Sequence, residues 1–185
     1  KWYDYVYRSA FSHNHNFSVS GGTAATRYYF SAGYSDQEGF LRGNDFERKT
    51  ARMNIDHDVT KWFKVSANVT YTNGINNSPN SGSIPGAAFN SSGLARIALV
   101  QAPNLAPYNE DGSYNVVGSA IGNGNNALPH GYANPVPIID LDRNSSETSR
   151  LIANLTGELF IYDGLSFRTI CSWDRGNTEN LRFWN

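Results

Sequence analysis

The sequence predicts an all-β chain of antiparallel, amphipathic strands arranged as a membrane barrel wall, and three observations support this. Apolar and polar residues alternate with period two in several separate stretches. Gly (17), Tyr (11) and Phe (10) are plentiful, which suits turn-rich β structure better than helices. No run of about 18 apolar residues is present, which excludes a transmembrane helix. A mean hydropathy of -0.49 does not oppose a barrel, where only every second strand residue faces lipid and long loops dilute the average.

Six strands are expected, in order. The first, 15–22, alternates Phe17 and Val19 with Asn16, Ser18 and Ser20. After Gly21-Gly22 and a short polar turn, the second, 27–36, sets Tyr28, Phe30, Ala32 and Tyr34 against Tyr29, Ser31, Gly33 and Ser35. In the third, 46–56, Ala51, Met53 and Ile55 oppose Arg48, Thr50, Arg52 and Asn54. The fourth, 64–72, places Val65, Ala67, Val69 and Tyr71 opposite Lys64, Ser66, Asn68 and Thr70. The fifth, 149–161, has Leu151, Ala153, Leu155, Leu159 and Ile161 against Arg150, Asn154, Thr156 and Glu158, with Ile152 and Phe160 breaking the pattern. The sixth, 165–175, has Leu165, Phe167, Cys171 and Trp173 against Ser166, Arg168, Ser172 and Asp174, with Ile170 on the polar side.

The connections alternate short and long: 23–26, 37–45, a turn near 57–63, the stretch 73–148, then Tyr162-Asp163-Gly164. Barrels of the outer membrane keep short turns on the periplasmic side and long loops outside, so the first dozen and last ten residues are expected to lie outside. A connection as long as 73–148 argues against a compact domain, but it suits a loop folded over a pore mouth. Within it a short helix is expected over 92–100, entered at Ser91 or Ser92 and stopped before Pro103. Asn109-Glu110-Asp111-Gly112 and Asn134-Pro135 read as turns. Alternation alone fits a soluble sandwich or a lipocalin-like barrel equally well. Two details favour a membrane: aromatics such as Tyr34, Trp62, Tyr71, Tyr162 and Trp173 gather near strand ends, and the polar face carries charges.

No catalytic constellation is present: there is no G-x-S-x-G elbow, P-loop or metalloprotease helix, so an enzyme and a cofactor are not expected. A net charge of -1 without a basic aromatic stripe argues against nucleic acid. His13-Asn14-His15 could offer two imidazoles to a metal but reads better as solvated loop histidines, and Asp140-Leu141-Asp142 lacks the spacing of a calcium loop. Gly122-Asn123-Gly124 is read as plain loop, and the Asn-x-Ser/Thr triplets as chance matches in an Asn-rich chain. The single Cys171 excludes an internal disulfide and is read as apolar filler. The chain begins at Lys1 and stops at Trp184-Asn185 within a strand-like run, so it is expected to be part of something longer.

Several segments resemble the SusC/RagA-type TonB-dependent outer-membrane transporters. They are His15-Asn16-Phe17-Ser18-Val19-Ser20-Gly21-Gly22, then Arg27-Tyr28-Tyr29-Phe30-Ser31-Ala32-Gly33-Tyr34 with Gln37-Glu38-Gly39, then Phe46-Glu47-Arg48-Lys49-Thr50-Ala51-Arg52-Met53-Asn54. Lys61-Trp62-Phe63-Lys64-Val65 and Asp163-Gly164-Leu165-Ser166-Phe167-Arg168 continue the series, and Trp2-Tyr3-Asp4-Tyr5 is similar to the family's loop before the second strand. The long loop resembles it only through Ala102-Pro103-Asn104 and Asp111-Gly112-Ser113-Tyr114.

The resemblance implies that 1–185 is about six strands of a 22-stranded transmembrane barrel, with one extracellular loop over 73–148 and the plug domain outside this chain. It implies active import across the Gram-negative outer membrane of oligosaccharides or oligopeptides captured with a SusD-like lipoprotein. The TonB complex would supply energy through the plug, membrane lipid would surround the wall, and transporter–lipoprotein pairs would dimerise. Arg48, Arg52, Asn54, Asn68, Asn154, Glu158, Arg168 and Asp174 would face the lumen or plug, along with Lys64. Tyr108, Asn109, Asp111 and Tyr114 would contact substrate or lid. A passive porin-like barrel and a soluble β-sandwich binding module are the alternatives.

Overall fold

The computed structural model describes residues 1–78, 94–116 and 134–183. Six strands form one antiparallel sheet in chain order: β1 (Ser12–Gly22), β2 (Thr26–Glu38), β3 (Asp45–Thr60), β4 (Phe63–Asn77), β5 (Arg143–Tyr162) and β6 (Leu165–Phe183). Three connections, 23–25, 61–62 and 163–164, lie at one end, and 39–44 and 78–142 lie at the other. Asp163-Gly164 closes the last hairpin as a two-residue turn, with Gly164 at φ 90°, a conformation that glycine adopts without steric cost.

The register keeps each face consistent from strand to strand. Val19, Phe30, Met53, Val69, Ala153 and Trp173 form one row across the sheet. The next row, on the opposite face, runs Ser20, Tyr29, Asn54, Asn68, Asn154 and Ser172. A slip of one residue in any ladder would mix the two sets, so the alternation read from the sequence and the observed pairing specify each other. Small irregularities between Asp58 and Thr60 and between Phe160 and Tyr162 are confined to the short-turn end.

The strands are longer than alternation indicates, chiefly at the long-loop end. The β4–β5 ladder carries Asn73↔Ser149 through Asn77↔Ser145, residues that the sequence pattern assigns almost entirely to loop. Apart from Ile75 both faces are polar there, so no apolar period exists to be detected. His13 and His15, expected as loop histidines, lie in β1 opposite Asp36 and Tyr34.

At this level the face that is apolar lower down carries two polar rows that bond to each other. Lys49 Nζ lies 2.5 Å from Glu47, Asn73 donates to Glu147 at 2.7 Å and Asn177 to Glu179 at 3.2 Å, and His13 lies 3.8 Å from Asp36. This collar marks where the apolar face ends.

Neither face of the sheet forms a core. Phe17, Leu155 and Trp173 are 63%, 54% and 63% exposed. The buried apolar residues among those described, Trp2, Val6, Leu41, Leu94, Ile97, Ala98 and Val136, all belong to the connections and the first segment. Three short helices assemble them: α1 (Trp2–Val6), α2 (Leu94–Val100) and α3 (Pro135–Leu141).

In α2, Leu94, Ile97 and Ala98 recur at i, i+3 and i+4 and turn one stripe inward. Val6, Leu41, Leu94 and Ala98 pack together, with Ile138 and Ile139 against them. Trp2 Nε1 donates to the Ala102 carbonyl at 2.6 Å. Arg8 pairs with Asp45 and donates to the Gly39 carbonyl at 3.2 Å, which ties the first segment to the β2–β3 connection.

Of the elements expected within 73–148, α2 forms, although residues 92 and 93 lie outside the described residues, as do Gly122-Asn123-Gly124. Asn134-Pro135 opens α3 and is not an isolated turn. Asn134 Oδ1 accepts the Val136 amide at 3.0 Å, and proline at the first helical position has no amide to leave unpaired. Likewise Trp2-Tyr3-Asp4-Tyr5, expected as loop, is the body of α1.

Asn134 is only 3% exposed and also donates to the Pro107 carbonyl at 2.7 Å. Replacing Asn134 with Ala leaves the buried Val136 amide unpaired and removes one of the two hydrogen bonds that the Pro107 carbonyl accepts, the other coming from the Asn115 amide, at an expected cost of about 1–3 kcal/mol to this cap. Hydrogen exchange on the intact protein should show faster opening across 101–116 and 134–142 with the strands unchanged.

Candidate functional site

Two groups of residues carry the polar chemistry of the described chain. The first is the polar face of the sheet. Arg48, Arg52, Asn54, Asn68, Asn154, Glu158, Arg168 and Asp174 all fall on it by register. They lie in several rows: Asn54, Asn68 and Asn154 are direct cross-strand neighbours, and Lys64, Glu158 and Arg168 form another row.

Three of these residues are engaged within the sheet. Arg168 Nη2 donates to Glu158 Oε1 at 2.9 Å, so each occupies the other's charge. Asp174 accepts two hydrogen bonds from Arg150, at 2.9 Å and 2.5 Å. Alternation places Arg150 on the polar face without marking it as a functional candidate. Its position diagonal to Asp174 across β5 and β6 is the missing signal, and it becomes visible only once register is known. Arg48 and Arg52 have no ion-pair or hydrogen-bond partner among the described residues.

The second group lies in the long connection. Tyr108 and Tyr114 pair across a narrow hairpin with ring centroids 5.7 Å apart and an interplanar angle of 28°. The turn follows from its sequence: the Asn109 amide donates to the Ser113 carbonyl at 2.8 Å, the Gly112 amide to the Asn109 carbonyl at 3.0 Å, and Gly112 sits at φ 83°. Asn109 and Asp111, expected to reach ligand, bond within this turn. Asn109 Nδ2 donates to Ser113 Oγ at 2.9 Å, and Asp111 Oδ1 accepts the Ser113 hydroxyl at 2.6 Å and its amide at 2.9 Å.

The Ser113 hydroxyl, and after it the Ser113 amide, hold the Asp111 carboxyl below the usual carboxylate range. Tyr114 donates its hydroxyl to Asp140 at 3.0 Å, and that bond, with partial burial second, raises the phenol above its ordinary value. Tyr108 remains 41% exposed, so the hairpin presents one open aromatic face on a fixed base.

Among the described residues no group of three or more His, Cys, Asp or Glu side chains could hold a metal ion. The His13 and His15 rings lie 5.1 Å apart, tilted by 51°, beside Tyr34 and Asp36. Asp140 and Asp142 close α3, where the Arg143 guanidinium caps both of their carbonyls. Cys171 is exposed on the apolar face. A hollow of about 540 Å³ lined by Lys61, Trp62, Phe160, Tyr162 and the last turn lies at the short-turn end, just beyond the Glu158–Arg168 pair.

The chain is 30% identical over 188 aligned positions to TonB-dependent receptor P3 of Formosa agariphila, covering 98% of this chain and 17% of that protein. It is 26% identical over 166 positions to TonB-dependent receptor SusC of Bacteroides thetaiotaomicron, covering 83% of this chain and 16% of that protein. It thus spans about a sixth of the length of these curated relatives. A chain of the RagAB peptide importer superposes with a TM-score of 0.69 at 22% identity, over 97% of this chain and 19% of that one. No family model matches. The open six-stranded sheet has the fold of a barrel segment.

Because the Asp111 carboxyl is depressed, its contribution to hairpin order is complete above the ordinary Asp value and is lost as pH falls through its lower folded value. Protection of the Ser113 amide, corrected for intrinsic exchange, should hold at neutral pH and decline only once the pH has fallen below the ordinary Asp range. In Asp111→Asn that acid dependence should vanish.

Proposed function

We infer that this chain, a segment of a SusC/RagA-type TonB-dependent transporter, serves as wall and mouth of an outer-membrane importer of oligosaccharides or oligopeptides. One observation carries the reading: an apolar face opposite a polar face, kept in register across all six strands with few exceptions (Ile152, Phe160 and Ile170 on the polar side, Arg175 on the apolar side) and with no core on either. An open sheet with apolar side chains on its surface requires lipid on that side, and its edges require further strands.

From Leu151 to Leu159 the apolar face of β5 runs about 26 Å along the strand, roughly 20 Å along the membrane normal at a tilt near 40°. Side chains at both ends bring this close to the ~25 Å apolar band of outer-membrane barrels. The polar collar then lies at the outer headgroup level, the cap lies outside the cell, and the short turns face the periplasm.

In this account the polar face lines the lumen. Arg48, Arg52, Asn54, Asn68 and Asn154 are open to solute or to a plug, whereas Glu158, Arg168 and Asp174 stiffen the wall through their internal pairs. The Tyr108–Tyr114 hairpin offers a flat face to a ligand ring or to a lid protein. A SusD-like lipoprotein would close over the cap, the TonB complex would act through a plug outside this chain, and two such pairs would associate. RagAB, one chain of which shares this fold, is a peptide importer, and that supports peptide as one substrate class. No covalent chemistry is assigned to the segment.

Val69→Arg, at the middle of the apolar face, should weaken assembly of the intact protein by about 2–4 kcal/mol. Outer-membrane fractions should then contain less heat-modifiable barrel, while Asn68→Ser on the opposite face leaves assembly unchanged. Uptake of labelled oligosaccharide or oligopeptide should require the intact protein and collapse when the inner-membrane proton gradient is discharged. Uptake indifferent to that gradient would favour a passive pore, and a soluble, folded product would favour the sandwich.

A further inference from the structure

On the polar face of the sheet, charge is balanced almost everywhere. Arg27 stands opposite Asp56, Asp58 opposite Lys64, and Lys64 opposite Glu158; Arg150 and Glu158 are paired to Asp174 and Arg168. On β3 the exceptions are Arg48 and Arg52; Arg182, opposite Asn144 near the end of β6, is a further cation of this face without an ion pair among the described residues. Arg48 has Ser35 and Gly74 as cross-strand neighbours, and Arg52 has Ser31 and Thr70.

The diagonal positions on that face hold Tyr29, Gly33, Gln37, Asn68, Thr72 and Asn76, none of them acidic. Nor can the remaining segments of this sequence supply a carboxylate side chain: residues 79–93, 117–133 and 184–185 contain no Asp or Glu. Both arginines are exposed, and two like charges on one face of one strand, beside a low-dielectric wall, raise a local positive potential.

Their positions along β3 differ in level. Arg48 lies between Glu47 and Lys49, which belong to the polar collar, and Arg52 lies between Ala51 and Met53 in the apolar band. The two are about 13 Å apart along one strand, one at the mouth and one at membrane depth.

We propose that Arg48 and Arg52 form an anion-selective track on this wall, taking the carboxylate or sulfate groups of an oligomeric solute. Guanidinium groups bind such anions in a bidentate manner, and two of them at this spacing suit successive charges of a repeating chain better than one fixed carboxylate. The track deepens the import reading and rests on it.

The test is calorimetry on the detergent-solubilised intact protein with two probes of equal length, a tetra-uronate and maltotetraose. The wild type should prefer the tetra-uronate, with the preference shrinking as salt rises. Arg48→Gln/Arg52→Gln should reduce that preference about tenfold or more. Arg48→Lys/Arg52→Lys should keep most of it, and the melting temperature should be the same in all three.

Equal binding of the two probes by the wild type, or an unchanged preference in the glutamine variant, overturns the proposal. A lowered melting temperature with unchanged affinity also overturns it, and assigns the arginines to a carboxylate elsewhere in the protein. Binding of neither probe overturns the track as well, while import itself is judged separately by the gradient-dependent uptake above.

Discussion

The antiparallel hydrogen-bond ladder is the constraint on which the rest of this molecule depends. Five ladders satisfy the backbone of β2 to β5 on both sides and of β1 and β6 on one, so between the two edges neither face has to supply water or side chains to pair with peptide groups. That leaves side-chain chemistry free to divide by parity alone, apolar on one side and polar on the other. The sheet therefore needs no second layer, and the molecule buries apolar side chains only where the chain leaves the sheet.

That division explains what is legible in the sequence. Strand number, order and face assignment can be read because one face must meet an apolar medium, and period two follows from that requirement. Where it lapses, so does the signal. The upper parts of β4 and β5 are polar on both faces apart from Ile75 and read as loop, although the same ladder runs through them. The helix α3 is hidden differently: Asn-Pro is both a turn signal and a helix entry, and only the packing of Val136, Ile138 and Ile139 decides between them.

The candidate residues divide along the same line. Polar-face residues can be named from parity, but which of them are spent on each other depends on register, a property of two strands that no single stretch contains. Glu158 and Arg168 are direct partners, and Asp174 belongs to Arg150, whereas Arg48 and Arg52 of β3 stay unbalanced at two levels of one strand. In the hairpin, short side chains beside a glycine at φ 83° bond locally, which draws Asn109 and Asp111 inward and leaves Tyr108 as the open surface.

The cap has one consequence for how such a chain can diversify. The segment 79–93 starts at Ser78, whose amide donates to the Asn144 carbonyl at 3.0 Å, and ends at the fully buried Leu94. The segment 117–133 starts after the buried Asn115 and ends at the buried Asn134. Each flanking residue has a partner among the described residues: Leu94 in the cluster with Val6 and Leu41, Asn115 on the Pro107 and Ala106 carbonyls, and Asn134 on the Pro107 carbonyl. A chain of this kind can diversify at this end only as far as these anchors allow: a change that spares Val6, Leu41, Leu94, Ala98 and Asn134 spares the cluster and the cap bonds that join the first segment, the β2–β3 connection, α2 and α3.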